Sequence, residues 1–329
     1  MVRFVIRRLL LAVTTLFAIS IITFLLFFAV PASPAEVMCG KNCSPTQVAQ
    51  TEHRLGIDQP ILKQYGQFVK GVFVGRTYGE GDFVRECPAP CLGYSYRNDE
   101  LVTETLKRTV PVTVSIVVGA AIMWLVIGVS LGMMSALRRG TIFDRIAIGV
   151  SLVGASLQVY FLGLVLLLLL VYSTGLLPAP SYTPFTENPG KWAVGLILPW
   201  ITLGFLNSAL YARLSRAQML ETLSEDYVRT ARAKGLTKRK VHTRHALRAA
   251  ITPIITIAGL DIGASLGGTV ITESIFGLQG LGRSAVRAVV ELNLPIVLAT
   301  VLLAALFIVV ANIIVDVLYA VVDPRVRLS

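Results

Sequence analysis

The apolar positions of this 329-residue chain gather into long runs separated by polar stretches. The first run is Leu9 to Val30, and five more lie at roughly Val110–Leu137, Ile146–Tyr172, Trp192–Tyr211, Ile254–Thr272 and Pro295–Val322. Each has about 19 residues or more, enough to cross ~30 Å of hydrocarbon at ~1.5 Å per helical residue. Lipid offers no hydrogen-bond partners to a backbone, so such runs are expected to be helices. A β-barrel would alternate apolar and polar positions instead, and Leu164 to Val171 is apolar without a break. The pattern predicts an all-α integral membrane protein with six transmembrane helices.

Composition agrees. Hydrophobic residues make up 54% of the chain, charged residues only 15%, and the mean hydropathy is +0.71. A soluble domain carries about 25% charged residues. The first run follows Arg3, Arg7 and Arg8, a basic start shared with signal peptides. Its length and the poor cleavage sequence Pro31-Ala32-Ser33-Pro34 point to a retained helix.

The net charge of +11 suits either a nucleic-acid binder or a membrane protein with basic cytoplasmic loops. Position decides between them. Three bases precede the first run. Arg138, Arg139 and Arg145 follow the second, ten lie between the fourth and fifth, and Arg325 and Arg327 end the chain. These alternate segments hold eighteen of the thirty bases, whereas the third-to-fourth connection has only Lys191 and the fifth-to-sixth has Arg283 and Arg287. Both termini are therefore expected in the cytoplasm, with residues 31–108 outside and the bilayer, not nucleic acid, as the surrounding partner.

The outer segment reads as a small cap. Ser44-Pro45-Thr46-Gln47 resembles a helix start, with Ser44 as N-cap and Gln47 at N3 and a stop near Gly56. A second helix is expected from Pro60 to about Val72, with Ile61, Leu62, Tyr65, Phe68, Val69 and Val72 at helical spacing. All four cysteines (Cys39, Cys43, Cys87 and Cys91) lie in this segment, so an oxidising compartment and disulfides are expected. The pairing favoured is between the two C-x-x-x-C pairs, closing a loop of about 50 residues. A four-thiolate zinc site is the alternative, and no metal is assigned.

The loop between the fourth and fifth runs carries the most distinctive sequence. Glu225 to Gly235 has helical propensity, acids first and bases last, and Gly235 stands where a helix C′ residue should. Thr237 is expected to cap a second basic helix through about Ala250, before Pro253. A solvated basic loop explains the bases. It does not explain the small residues Thr230, Ala231, Ala233 and Gly235 among them, which suit a short helix fitted into a groove of another protein. Anionic lipid headgroups are a compatible second contact.

The stretch Tyr227-Val228-Arg229-Thr230-Ala231-Arg232-Ala233-Lys234-Gly235-Leu236, with Arg244-His245-Ala246-Leu247-Arg248 and Pro253 after it, resembles the coupling loop of the dipeptide/oligopeptide ABC permeases. The wider superfamily reads Glu-Ala-Ala, three residues, then Gly; here Arg229, Thr230 and Ala231 occupy the first three places, and Gly235 is kept. The resemblance extends to Arg7-Arg8-Leu9-Leu10, Leu55-Gly56-Ile57-Asp58-Gln59-Pro60, Glu273-Ser274-Ile275-Phe276-Gly277 and Gly280-Leu281-Gly282-Arg283. It continues through Asn312, Asp316, Tyr319 and Asp323-Pro324-Arg325, and so covers nearly the whole chain. Cys39–Cys43 and the stretch from about Arg76 to Cys91 depart from the family pattern.

The resemblance implies a type I ABC importer permease fold, divided into helix 1–30, cap 31–108, core 109–322 with a coupling loop at about 212–252, and tail 323–329. It implies a second homologous permease subunit, two ABC ATPase subunits that bind ATP and magnesium, and an extracytoplasmic peptide-binding protein. Tyr227, Arg229, Thr230, Ala231, Ala233, Lys234 and Gly235 are then the ATPase-coupling residues.

No G-x-x-x-x-G-K-[S/T] occurs, since Gly40-Lys41 and Gly190-Lys191 lack its spacing and hydroxyl. H-E-x-x-H and G-x-S-x-G are also missing, so a non-enzymatic transport subunit without its own cofactor is expected. Asp261 falls inside the fifth run among Gly259, Gly263, Gly267 and Gly268, where a charge is costly and must face a pore or a polar partner. Asp261, Gln158 and Gly263 are candidates for the substrate path, while Asn312 and Asp316 read as structural glue. The rival functions are a permease for nickel or another small solute, and a stand-alone transporter using Asp261 as a proton relay.

Overall fold

The computed structural model describes residues 2–28, 44–46, 59–78, 84–95 and 97–322. The expected helix starting at Ser44 falls mostly outside the described residues. Helix α1 (Val2–Phe28) is followed by α2 (Ile61–Val74) and strands β1 (Arg76–Tyr78), β2 (Arg85–Cys87), β3 (Tyr94–Ser95) and β4 (Glu100–Leu101). The membrane core comprises α3 (Val102–Leu137), the bent pair α4 (Ile142–Ser156) and α5 (Val159–Ser173), α6 (Pro189–Ser224), α8 (Lys238–Leu266) and α11 (Leu294–Val322). Between them lie the short helices α7 (Asp226–Ala233), α9 (Val270–Ile275) and α10 (Leu281–Val290).

By length and composition five helices can each span a membrane, and the bent pair makes a sixth crossing if it counts as one span. The pattern predicts one helix for the run from Ile146 to Tyr172. It is instead two, set at 99°. Leu157 and Gln158 both adopt extended backbone, with ψ 145° at each, and interrupt the helical ladder. The breaks are still satisfied locally, because Leu157 N–H donates to Val153 O and Leu162 N–H to Gln158 O.

Several spans extend beyond their apolar runs. α3 begins at Val102, before the run, because Thr103, Glu104, Lys107 and Arg108 form polar turns that precede the hydrocarbon stretch. α6 has 36 residues, about 54 Å at ~1.5 Å per residue. It therefore outruns a ~30 Å hydrocarbon core and carries Arg213 and Arg216 beyond it. The fifth span starts well before its run and stops before the run ends: α8 closes at Leu266, and Gly268 turns the chain at φ +137° into α9.

Close helix approach organises the core. An added Cβ on Gly132 of α3 would lie 2.3 Å from Ala212 O of α6. The α8 glycines do the same against α11: a Cβ on Gly259 would meet Val315 at 1.8 Å, and one on Gly263 would meet Ala311 at 2.8 Å. Small residues at i and i+4 let two membrane helices touch along their backbones. Ile116, Trp124, Leu196, Tyr211 and Ile254 fill the space between α3, α6 and α8. Arg8 of α1 pairs with Asp316 of α11 at 3.1 Å, so Asp316 ties the first span to the last.

The cap joins this bundle through α2. Tyr65 packs edge-on against Phe24 of α1 at 5.3 Å, and its hydroxyl donates to Ser20 Oγ at 3.3 Å. After α2, β1 and β2 form an antiparallel hairpin over the stretch that departs from the family pattern. A disulfide joins Cys87 to Cys91 there, five residues inclusive. This corrects the expected cross-link between the two cysteine pairs: Cys87 and Cys91 have their Cα atoms 5.5 Å apart and bond to each other. Cys39 and Cys43 lie outside the described residues.

Candidate functional site: the α7 elbow and the polar clusters above it

α7 hangs from the end of α6, the only break being Glu225 in extended backbone with ψ 147°. Its first turn carries Asp226, whose carboxylate lies 3.4 Å from the Arg229 guanidinium. Thr230 Oγ1 donates back to Asp226 O at 2.9 Å. The helix closes in the pattern of a Schellman motif. Gly235 takes the left-handed conformation at φ +76°, and Leu236 N–H returns to Ala231 O. An added Cβ on Gly235 would meet nothing within 4 Å, so conformation alone calls for glycine here.

The two faces of α7 differ sharply. Val228 is fully buried and Ala231 nearly so, packed with Val241 of α8 and with Leu223 and Leu236. Tyr227, Arg229, Thr230, Ala233, Lys234 and Gly235 are exposed. Of the seven residues expected to contact an ATPase, six thus face outward, while Ala231 anchors the helix to its own chain. Burial and the Glu225 carboxylate push the Tyr227 phenol up. Thr237 stands at the start of α8 as expected but makes no side-chain cap. The second basic helix and the fifth span are one continuous helix, with a π-helical turn at Val241–Ala246. Movement of α7 therefore bears directly on both α6 and α8.

Eight residues before the end of α6, Arg216 forms a two-pronged pair with Asp144 of α4: Nε donates to Oδ1 at 2.7 Å and Nη2 to Oδ2 at 3.0 Å. Asp144 also accepts from Ser135 of α3 at 2.5 Å and from Gly140 N–H at 3.0 Å. Three core helices meet at this carboxylate. In the sequence Arg216 stands only as a topological base, yet Asp144, a lone acid in the basic loop that includes Arg138, Arg139 and Arg145, is a usable signal.

The substrate-path candidates do not converge. Asp261 is half-buried and accepts a 2.7 Å hydrogen bond from Tyr211 Oη of α6, which stacks near Trp124 of α3 at 6.3 Å. Gly263, two residues on, is buried in the α8–α11 contact, so it serves packing. Gln158 is exposed at the bend between α4 and α5.

At the opposite end of α3 the motif residues meet. Glu273 of α9 is fully buried. Its Oε1 accepts from Thr113 at 2.7 Å and Thr269 at 3.3 Å, and its Oε2 from Arg283 N–H at 2.7 Å. Arg283 N–H belongs to the first turn of α10, so Glu273 caps that helix from outside it. An added Cβ on Gly280 would lie 2.2 Å from the Glu273 carboxyl carbon, which explains the glycine.

This architecture, a bundle of apolar spans with an exposed elbow helix at one end and a cap at the other, is that of a multi-pass transport subunit. Residues 1–117 match the N-terminal part of binding-protein-dependent transport system membrane components, and residues 128–328 match binding-protein-dependent transport system inner membrane components. The chain belongs to this family. It is 35% identical to the dipeptide transport system permease protein DppB of Escherichia coli K12, with 99% of each chain covered. It is 34% identical to the di/tripeptide transport system permease protein DppB of Pseudomonas aeruginosa and 33% identical to a putative peptide transport system permease protein of Brucella abortus, again over 99% of each chain.

Proposed function

We propose that this chain is one of two pore-forming subunits of an ATP-driven peptide importer in a bacterial plasma membrane. Relatives named as peptide, dipeptide or di/tripeptide permeases match it end to end, which supports peptide as the cargo. In this reading a second, homologous permease completes the pore. Two ATPase subunits bind ATP and magnesium on the cytoplasmic side, where both termini lie, and an extracytoplasmic binding protein delivers the peptide to the other side.

One observation carries the coupling half of the reading. α7 buries Val228 and Ala231 against its own chain and presents small and basic side chains outward. A helix built this way is stiffly attached behind and accommodating in front, as a groove-fitting element must be. Closure of the ATPases pulls α7, and α7 moves α6 and α8, opening the path to alternating sides. The test is purification of the tagged chain from native membranes. Two ATPase subunits and a second permease should accompany it, and peptide uptake by the reconstituted complex should need ATP. A chain that arrives alone and accumulates peptide without ATP overturns the reading.

A further inference from the structure

Between the first turns of α3, the segment before α6 and the α10–α11 turn lies a cavity of about 870 Å³. It sits at the cap end of α3, a whole helix length from Ala136, which packs at the α7 end. Its size is that of a small-molecule site, ~300–1,000 Å³. Its lining is unusual for membrane-bundle surface, because it includes Arg108, Glu100, Arg287, Glu291, Gln279 and Asn293.

The charges are paired but not saturated. Arg108 Nη2 donates to Glu100 Oε2 at 2.7 Å, and Thr105 Oγ1 occupies the other oxygen at 2.6 Å. Both Glu100 oxygens are thus engaged, while Arg108 keeps donors to spare. On the other wall Arg287 Nε reaches only Oε1 of Glu291, at 2.8 Å. Two residues on, Asn293 is 1% exposed and donates through Nδ2 to Ser95 Oγ at 2.7 Å, yet its Oδ1 is buried with no partner.

The backbone fixes these acceptors in place. α10 ends with Leu292 in the left-handed conformation at φ +56°, a place where glycine is usual, and Asn293 N–H closes onto Ala288 O at 2.7 Å. The loop through Gly277 and Gln279 that forms another wall is held by the Glu273 cluster. Two elements are thus set by buried contacts around an open, polar volume.

We propose that this cavity is a binding site for a short zwitterionic peptide, with Glu291 receiving the terminal ammonium and Arg108 receiving the terminal carboxylate. A peptide of two or three residues brings one cation and one anion, which matches the half-used Glu291 carboxylate on one wall and the half-used Arg108 guanidinium on the other. The site is a receiving station on the cap face, ahead of the path through the bundle. It rests on the peptide reading above and deepens it.

The experiment uses the complete importer in nanodiscs without its binding protein, and alanyl-alanine as the probe. Equilibrium dialysis should show saturable binding of alanyl-alanine, and the doubly blocked N-acetyl-alanyl-alanine amide should bind at least about tenfold more weakly, ~1.4 kcal/mol. Glu291→Gln should weaken alanyl-alanine about fivefold and leave N-acetyl-alanyl-alanine unchanged. Arg108→Gln should do the same for the free peptide and leave alanyl-alanine amide unchanged. Equal binding of blocked and free peptides, or wild-type affinity in both variants, overturns the proposal. The same particles supplied with binding protein and ATP report peptide uptake separately. Uptake without cap-face binding sinks this site alone, whereas absence of any peptide uptake sinks the reading on which it stands.

Discussion

Arg216 grips Asp144 with two parallel hydrogen bonds, Nε to Oδ1 at 2.7 Å and Nη2 to Oδ2 at 3.0 Å, and so locks α6 to α4 just above the α7 elbow. The Asp144 side chain is only 4% exposed. A charge so placed is tolerable because a bidentate partner, a hydroxyl and a backbone N–H surround it.

Removing one partner of this lock should therefore cost more than removing both. Asp144→Ala should destabilise the folded chain by about 2–4 kcal/mol, since Arg216 loses its counter-ion in a mostly buried place. The double variant Asp144→Ala/Arg216→Leu should recover most of that loss. Thermal unfolding of the detergent-purified protein reads both. A single variant as stable as the wild type would show that the pair contributes nothing.

The Glu273 cluster predicts a local effect at long range in sequence. Glu273→Ala leaves the Thr113 hydroxyl proton and the Arg283 N–H without acceptors, although Thr113 Oγ1 still accepts from Leu281 N–H; each lost acceptor costs about 1–3 kcal/mol when buried. Hydrogen exchange across 281–290 should speed up, because α10 loses its external cap, while exchange in α6 stays as it was. Unchanged protection in α10 would remove Glu273 from that role.

Glycine positions separate packing from tolerance. Gly259→Leu should block assembly of α8 on α11, because even a methyl there lies 1.8 Å from Val315. A Cβ added to Gly149 on α4 meets nothing within 4 Å, so Gly149→Leu should express normally. Yields of folded protein by size-exclusion chromatography compare the two, and equal yields would contradict the α8–α11 contact.

Most of the membrane architecture was legible because lipid imposes a simple rule on composition, and the six runs fall where the helices and the bent pair stand. The bend at Leu157–Gln158 was not legible, since no proline or glycine occupies either position and the break depends on what packs around it. The elbow was legible in its glycine and its small residues. That Ala231 faces inward was not legible, because its face is set by Val241 and Leu236, which lie beyond the helix in sequence. The Asp144–Arg216 lock escaped for the same reason, its partners standing 72 residues apart. Cysteine pairing is a matter of three-dimensional approach, which spacing alone leaves open.

The Cys87–Cys91 bridge closes so short a loop that chain entropy limits it to about 2 kcal/mol. Mass spectrometry of an unreduced digest should recover the peptide cross-linked between these two positions. Reduction should loosen the β1–β2 hairpin and leave the membrane core folded. A cross-link from Cys87 or Cys91 to Cys39 or Cys43 would contradict the structure.

The central claim is that work done in other subunits enters this chain through α7, and the most direct test is the ratio of peptide imported to ATP hydrolysed in the Gly235→Val complex. Valine has room at this position but is disfavoured at φ +76° by roughly 1–2 kcal/mol, so the elbow should re-form at a different angle while the subunits still associate. Hydrolysis should continue with the ratio reduced about tenfold or more. An intact complex that imports as much peptide per ATP as the wild type would contradict it.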